Sequence, residues 1–76
     1  MRKSARDIFK NNLGRKVREL RLSLKMSQED LAEEAETRRA LISDIERGEA
    51  NPTLDSILKI AIALGVEPTE LFGSPR

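Results

Sequence analysis

Residues 27–48 read Ser27-Gln28-Glu29-Asp30-Leu31-Ala32-Glu33-Glu34-Ala35-Glu36-Thr37-Arg38-Arg39-Ala40-Leu41-Ile42-Ser43-Asp44-Ile45-Glu46-Arg47-Gly48, and they spell two short helices with almost nothing between them. Ser27 is a helix N-cap residue, and Glu29 and Asp30 put acidic side chains into a first turn, where the exposed N–H groups favour negative charge. Leu31, Ala32 and Ala35 then face inward. A second helix is predicted from about Arg38 to Arg47, with Leu41, Ile42 and Ile45 apolar and Gly48 as its C-terminal stop. Only Glu36 and Thr37 separate the pair. Small side chains such as Ala32 and Ala35 let two helices approach closely at a steep angle.

The same punctuation continues on both sides. Upstream, Leu13, Val17, Leu20 and Leu24 recur at spacings of 4, 3 and 4, one stripe of an amphipathic helix. That helix starts as early as Ser4, because Ser4 and Asp7 form a capping pattern, and Gly14 is a weak point within it. Downstream, Glu49-Ala50-Asn51-Pro52 is a loop. Thr53 caps a fourth helix with Leu54, Ile57, Leu58, Ala61 and Leu64 on one broad face, ended by Gly65. Pro68-Thr69-Glu70-Leu71-Phe72 is a short fifth helix with proline in its first turn. No stretch alternates with period two for long enough to form a strand. The chain is expected to be all-α, one five-helix domain over residues 1–76, with flexible ends at 1–4 and 73–76. By spacing, Leu31, Ile42, Ile45, Leu54, Ile57, Ile60, Ala61 and Leu64 form its core.

Composition removes several function classes. The 76 residues include no cysteine and no histidine. That leaves no disulfide, no thiolate or imidazole metal site and no Ser-His or Cys-His nucleophilic pair. No phosphate-cradling glycine loop is present either, so an enzyme is not expected, nor a metal, cofactor or small-molecule ligand. No apolar run approaches the roughly 20 residues of a membrane helix, and no signal peptide opens the chain. A cytoplasmic protein with no membrane partner is expected.

Net charge is only +1, but it is unevenly placed. Residues 1–25 carry nine Lys/Arg against Asp7 and Glu19, whereas residues 26–76 carry five basic and eleven acidic residues. Such asymmetry hints at nucleic-acid or membrane contact, although a solvated helix face explains it equally well.

The helix pair at about 27–47 has the spacing of a helix-turn-helix. Its string Ser27-Gln28-Glu29-Asp30-Leu31-Ala32, followed by Ile42-Ser43-x-Ile45-Glu46-Arg47-Gly48, Asn51-Pro52-Thr53-Leu54 and Leu64-Gly65-Val66, resembles the Cro/C1-type (XRE, phage-repressor-like) DNA-binding domains across roughly residues 13–72. The resemblance implies a lambda-repressor-like fold. It also implies bacterial or phage origin, double-stranded DNA as partner, and a recognition helix at about 38–47 lying in the major groove. Gln28 matches the family glutamine that holds a phosphate, helped by the helix start at Ser27. Arg38, Arg39, Ala40, Ser43 and Asp44 fall at the reading positions. Arginine pairs bidentately with guanine O6 and N7, and Arg39 matches an arginine of the restriction–modification controller proteins, a subgroup of this family. Either arginine could instead clamp a phosphate. Asp44 could accept from cytosine N4, orient Arg39 or lie outside the contact surface. Arg47 and Asn51 match positions that commonly bind phosphate, and Arg21 and Glu46 match a partly buried ion pair.

Two positions depart from the family pattern. Glu36 stands where glycine is usual, and a non-glycine residue in the left-handed region costs about 1–2 kcal/mol. Arg38 stands where a Ser/Thr cap is usual: either Thr37 takes over that cap, or the cap is given up for an arginine directed at DNA.

The resulting expectation is a sequence-specific regulator of transcription that binds a palindromic operator as a homodimer. Its interface would form from Leu58, Ile62, Leu71 and Phe72, with Ile62 extending an already broad apolar face. The competing reading of Leu71 and Phe72 is that they close the monomer core. An alternative from another class is an antitoxin-like protein that neutralises a toxin, with DNA binding secondary.

Overall fold

In the computed structural model, which describes residues 4–72, all regular structure is helical. The elements are α1 (Ala5–Ser23), α2 (Gln28–Glu34), α3 (Arg39–Glu46), α4 (Leu54–Leu64) and α5 (Pro68–Leu71). Ser4, placed by sequence in a flexible end, caps α1: its Oγ accepts from the Asp7 N–H at 3.1 Å. Residues 1–3 and 73–76, also expected to be flexible, lie outside the described residues.

Capping accounts for where helices start. Ser27 Oγ accepts from the Asp30 N–H, and Asp30 Oδ2 accepts from the Ser27 N–H, each at 2.9 Å, so the α2 capping box is reciprocal. Thr53 Oγ1 accepts from the Ser56 N–H at 3.1 Å to start α4. Helix α3 is one residue shorter at each end than the spacing suggests. Arg38 occupies its N-cap with no side-chain hydrogen bond, and Arg47 its C-cap. Thr37 therefore does not take over; the cap is simply absent.

Four helices end in the same closure, an N–H donating to the carbonyl five residues earlier. The pairs are Met26 to Arg21, Thr37 to Ala32, Glu49 to Asp44 and Val66 to Ala61. Each closure needs one residue at positive φ. Gly48 and Gly65 supply two of these, but Lys25 (φ 60°) and Glu36 (φ 55°) supply the others. Glu36 thus adopts the left-handed conformation that glycine usually fills, and Lys25 does the same unforeseen.

Helix α1 packs on α3 and α5, α2 on α3 and α4, and α4 on α5. Leu13, Val17, Leu31, Ala32, Ala35, Ile42, Ile45, Ile57, Ile60, Ala61, Leu64 and Leu71 form one buried cluster. Three expectations change. Leu24, assigned to the α1 stripe, is the α1 C-cap and exposed, because the helix ends before the stripe does. Leu54, assigned to the core, is 68% exposed. Leu71, assigned to a dimer surface, is fully buried in this core; the competing reading, that it closes the monomer, is the one the packing realises.

Gly14, read as a weak point of α1, is where α1 meets α3. A Cβ there would lie 2.2 Å from the Ile45 carbonyl oxygen and 2.9 Å from that of Glu46. The helices touch backbone to backbone at this crossing, which holds the C-terminal end of α3 against α1.

Candidate nucleic-acid interface

Helix α3 lies on α1 and α2 through Ile42 and Ile45, both buried. Its other side is left to solvent. Arg38, Arg39 and Ala40 are exposed at its start, and Ser43 and Asp44 are half-buried one turn further on. The five expected reading residues thus run along one side of α3 from its N-cap. Arg38 and Arg39 enter none of the ion pairs among the described residues. Two guanidinium forks with their donors open stand at the N-terminal end of the helix, where the missing side-chain cap leaves the first N–H groups open as well.

The end of α3 is anchored by a nearly dry ion pair. Arg21 Nε donates to Glu46 Oε2 at 2.7 Å and Arg21 Nη2 to Oε1 at 3.0 Å, a bidentate fork. Arg21 Nη1 donates to the Met26 carbonyl at 2.8 Å. The Glu46 side chain is 3% exposed. Burial pushes its carboxyl up, but hydrogen bonds from Arg21 and Gln28 and the charges of Arg21 and Arg18 outweigh that, leaving it below the ordinary carboxylate value. The same hydrogen bond to Glu46 raises Arg21. The expected pair is present and ties α1, the α1–α2 turn and α3 together.

Gln28, expected at a phosphate, donates from Nε2 to Glu46 Oε1 at 3.1 Å. An amide nitrogen carries two hydrogens, so the second remains available to an anion. Gln28 therefore links the start of α2 to the buried pair. Ser27 Oγ is an acceptor in the capping box, which leaves its hydroxyl hydrogen free to donate. Asn51 is exposed in the loop before α4.

Arg47, expected at a phosphate, is held by acceptors of its own chain. Its guanidinium donates to Ser43 Oγ at 2.7 Å, to Asp44 Oδ1 at 2.5 Å and to Glu49 Oε1 at 3.3 Å. Asp44 thus pairs with Arg47 and does not orient Arg39. Sequence reading missed this cluster, as it missed the contact of Gln28 with Glu46 and the close crossing at Gly14. A lone glycine inside an apolar helical stripe is the one available signal for the last of these.

On α4, Leu54, Leu58 (39% exposed) and Ile62 (78% exposed) stand at spacings of four and form an outward apolar stripe. Phe72, at the end of α5, stacks on Phe9 of α1 with ring centroids 5.4 Å apart. Leu71 is absent from this surface.

Comparison with known proteins places this arrangement. The helix-turn-helix family HTH_3 matches residues 17–71. The control protein C.BamHI of Bacillus amyloliquefaciens is 58% identical over 60 residues, covering 78% of this chain and 74% of that protein. The immunity repressor protein of Bacillus phage phi105 is 34% identical over 61 residues, covering 80% of this chain but only 42% of the repressor. Among solved structures, the restriction-modification controller protein C.AhdI from Aeromonas hydrophila superposes with a TM-score of 0.81 at 43% identity, covering 83% of this chain and 96% of that one. With an all-helical fold, the matched α2–α3 pair and relatives of this kind, the chain belongs to the HTH_3 family of Cro/C1-type helix-turn-helix, DNA-binding transcriptional regulators.

Proposed function

We propose that this protein is a sequence-specific regulator of transcription. As a homodimer it occupies a palindromic operator in double-stranded DNA, with α3 in the major groove and no catalytic step. One observation carries the reading: the exposed face of α3 begins with Arg38 and Arg39, two guanidinium groups outside the ion pairs, on a helix anchored from behind. Arg39 reads guanine through O6 and N7, and Arg38 contacts a base or the adjoining phosphate. Ser27, Gln28 and Asn51 hold the phosphate backbone. The relatives named as a control protein, a controller and a repressor favour this role over the antitoxin-like one.

Arg39→Ala should cost about 1–3 kcal/mol on the duplex the protein enriches from a randomised pool, and relax base preference at one position per half-site. Gln28→Ala should instead weaken binding to every sequence about evenly. Selections with each variant check both. If Arg39→Ala weakens enriched and random duplexes equally, Arg39 is a phosphate contact and does not read sequence.

The α4 stripe of Leu54, Leu58 and Ile62, together with the part-exposed Phe72 at the end of α5, supplies the apolar patch for a two-fold dimer. Leu54 takes the place in it that sequence reading assigned to Leu71. Such a dimer sets the two α3 helices about 34 Å apart, one turn of DNA. Sedimentation of Ile62→Glu should show a folded monomer; a variant that stays dimeric removes this surface as the interface.

A further inference from the structure

The cluster around Arg47 gives the exposed side of α3 a feature that arginine contacts alone do not explain. Asp44 places a carboxylate on the surface proposed to face DNA, where unneutralised negative charge repels phosphate. Arg47 answers that charge directly, its Nη2 donating to Asp44 Oδ1 at 2.5 Å while Nη1 donates to Ser43 Oγ at 2.7 Å. Glu49 adds a third acceptor at Nε, 3.3 Å away. The guanidinium is thus held at three points, one turn beyond Ser43 and Asp44. It fixes one oxygen of Asp44 and leaves the second open, and it leaves the Ser43 hydroxyl hydrogen free to donate.

We infer that Arg47 is a positioning residue that neutralises Asp44 and holds it as a hydrogen-bond acceptor for the amino group of a cytosine in the major groove. This rests on the reading of α3 as the recognition helix. The selectivity follows from the groove edge of each base. Cytosine offers its N4 donor with no acceptor beside it on the same base. Adenine sets the N7 acceptor next to its amino group, and guanine and thymine present O6, N7 or O4 acceptors, all of which repel a carboxylate. A neutralised, fixed Asp44 therefore rejects three bases and accepts one, whereas a free carboxylate weakens binding to any duplex. An exposed ion pair of this kind contributes little to folding, so changes at these positions leave the fold intact.

The test is a double-mutant cycle on the full chain with Asp44→Ala, Arg47→Ala and the combination, each first checked for helical content by circular dichroism. The probe is the duplex that the unsubstituted protein enriches from a randomised pool. Asp44→Ala should erase a cytosine preference of about tenfold at one base pair per half-site and leave the other positions unchanged. Arg47→Ala should lower affinity for that duplex by about tenfold or more, and adding Asp44→Ala should restore most of the loss. The inference is overturned if Asp44→Ala leaves the base-preference profile unaltered, or if Arg47→Ala costs the same factor in both backgrounds, as a plain phosphate contact would. An unsubstituted protein that enriches no sequence at all overturns the recognition-helix reading, and the inference with it, before any variant is made.

Discussion

Glu46→Ala should lower the unfolding free energy by about 3–5 kcal/mol. A domain of this size has roughly 4–11 kcal/mol in total, at about 0.05–0.15 kcal/mol per residue, so much of the population would unfold at moderate denaturant. The loss is large because Arg21, itself buried, would keep only the Met26 carbonyl as partner. Gln28 would lose its acceptor at the same stroke. Replacing both charges, Arg21→Met with Glu46→Leu, should cost far less than either single change, because no orphaned charge is left in the protein. Denaturant titration of the three variants measures this. A Glu46→Ala loss below about 1 kcal/mol would mean that water reaches the pair.

The same pair sets an acid limit. The folded carboxyl of Glu46 lies below its ordinary value, so its contribution is complete above the unfolded carboxylate pKa of about 4.3 and is lost as pH falls through the lower folded value. Neutral and alkaline pH leave it untouched, since Arg21 is shifted upward and stays protonated. The acid-induced loss of stability should be smaller in the Arg21→Met, Glu46→Leu double variant.

Gly14→Ala is the second large effect. In an isolated helix this change gains about 1 kcal/mol. Here the new methyl would meet two backbone carbonyl oxygens, at 2.2 and 2.9 Å, that no rotamer change can remove. Overpacking of this kind costs about 1–3 kcal/mol and more where backbone must shift, which outweighs the helical gain. Helices α1 and α3 would have to separate at Ile45 and Glu46, disturbing the buried ion pair as well. A lowered melting temperature, together with weakened DNA binding by the fraction that stays folded, is the expected result. A melting temperature at or above that of the unsubstituted protein would show that the two backbones are not in contact.

Several starts and stops of the helices were legible because they depend on single residues in local geometry: Ser4, Ser27 and Thr53 as caps, and Gly48 and Gly65 as ends. The end of α1 at Lys25 and the uncapped start of α3 carry no such residue. Burial was less legible. Helix α4 is apolar over most of its circumference, so periodicity alone cannot separate Ile57, Ile60, Ala61 and Leu64, which are buried, from Leu54, Leu58 and Ile62, which stay exposed. Leu71 belongs to the core because α5 folds back between α1 and α4, a matter of tertiary path that its short helix does not announce. On the interface side, the exposed arginines at the start of α3 follow from position on a helix. The partners of Arg47 and Gln28 do not, since they depend on rotamers chosen among several acceptors within reach.

Duplex binding through a local basic face, despite a net charge of only +1, is tested most directly by the salt dependence of that binding. Each phosphate neutralised contributes about −0.9 to the slope of log K against log salt, so a dimer making roughly six phosphate contacts should give a slope of about −5 on the enriched duplex. A slope near zero, or no measurable duplex binding at low salt, would contradict the DNA-binding account as a whole.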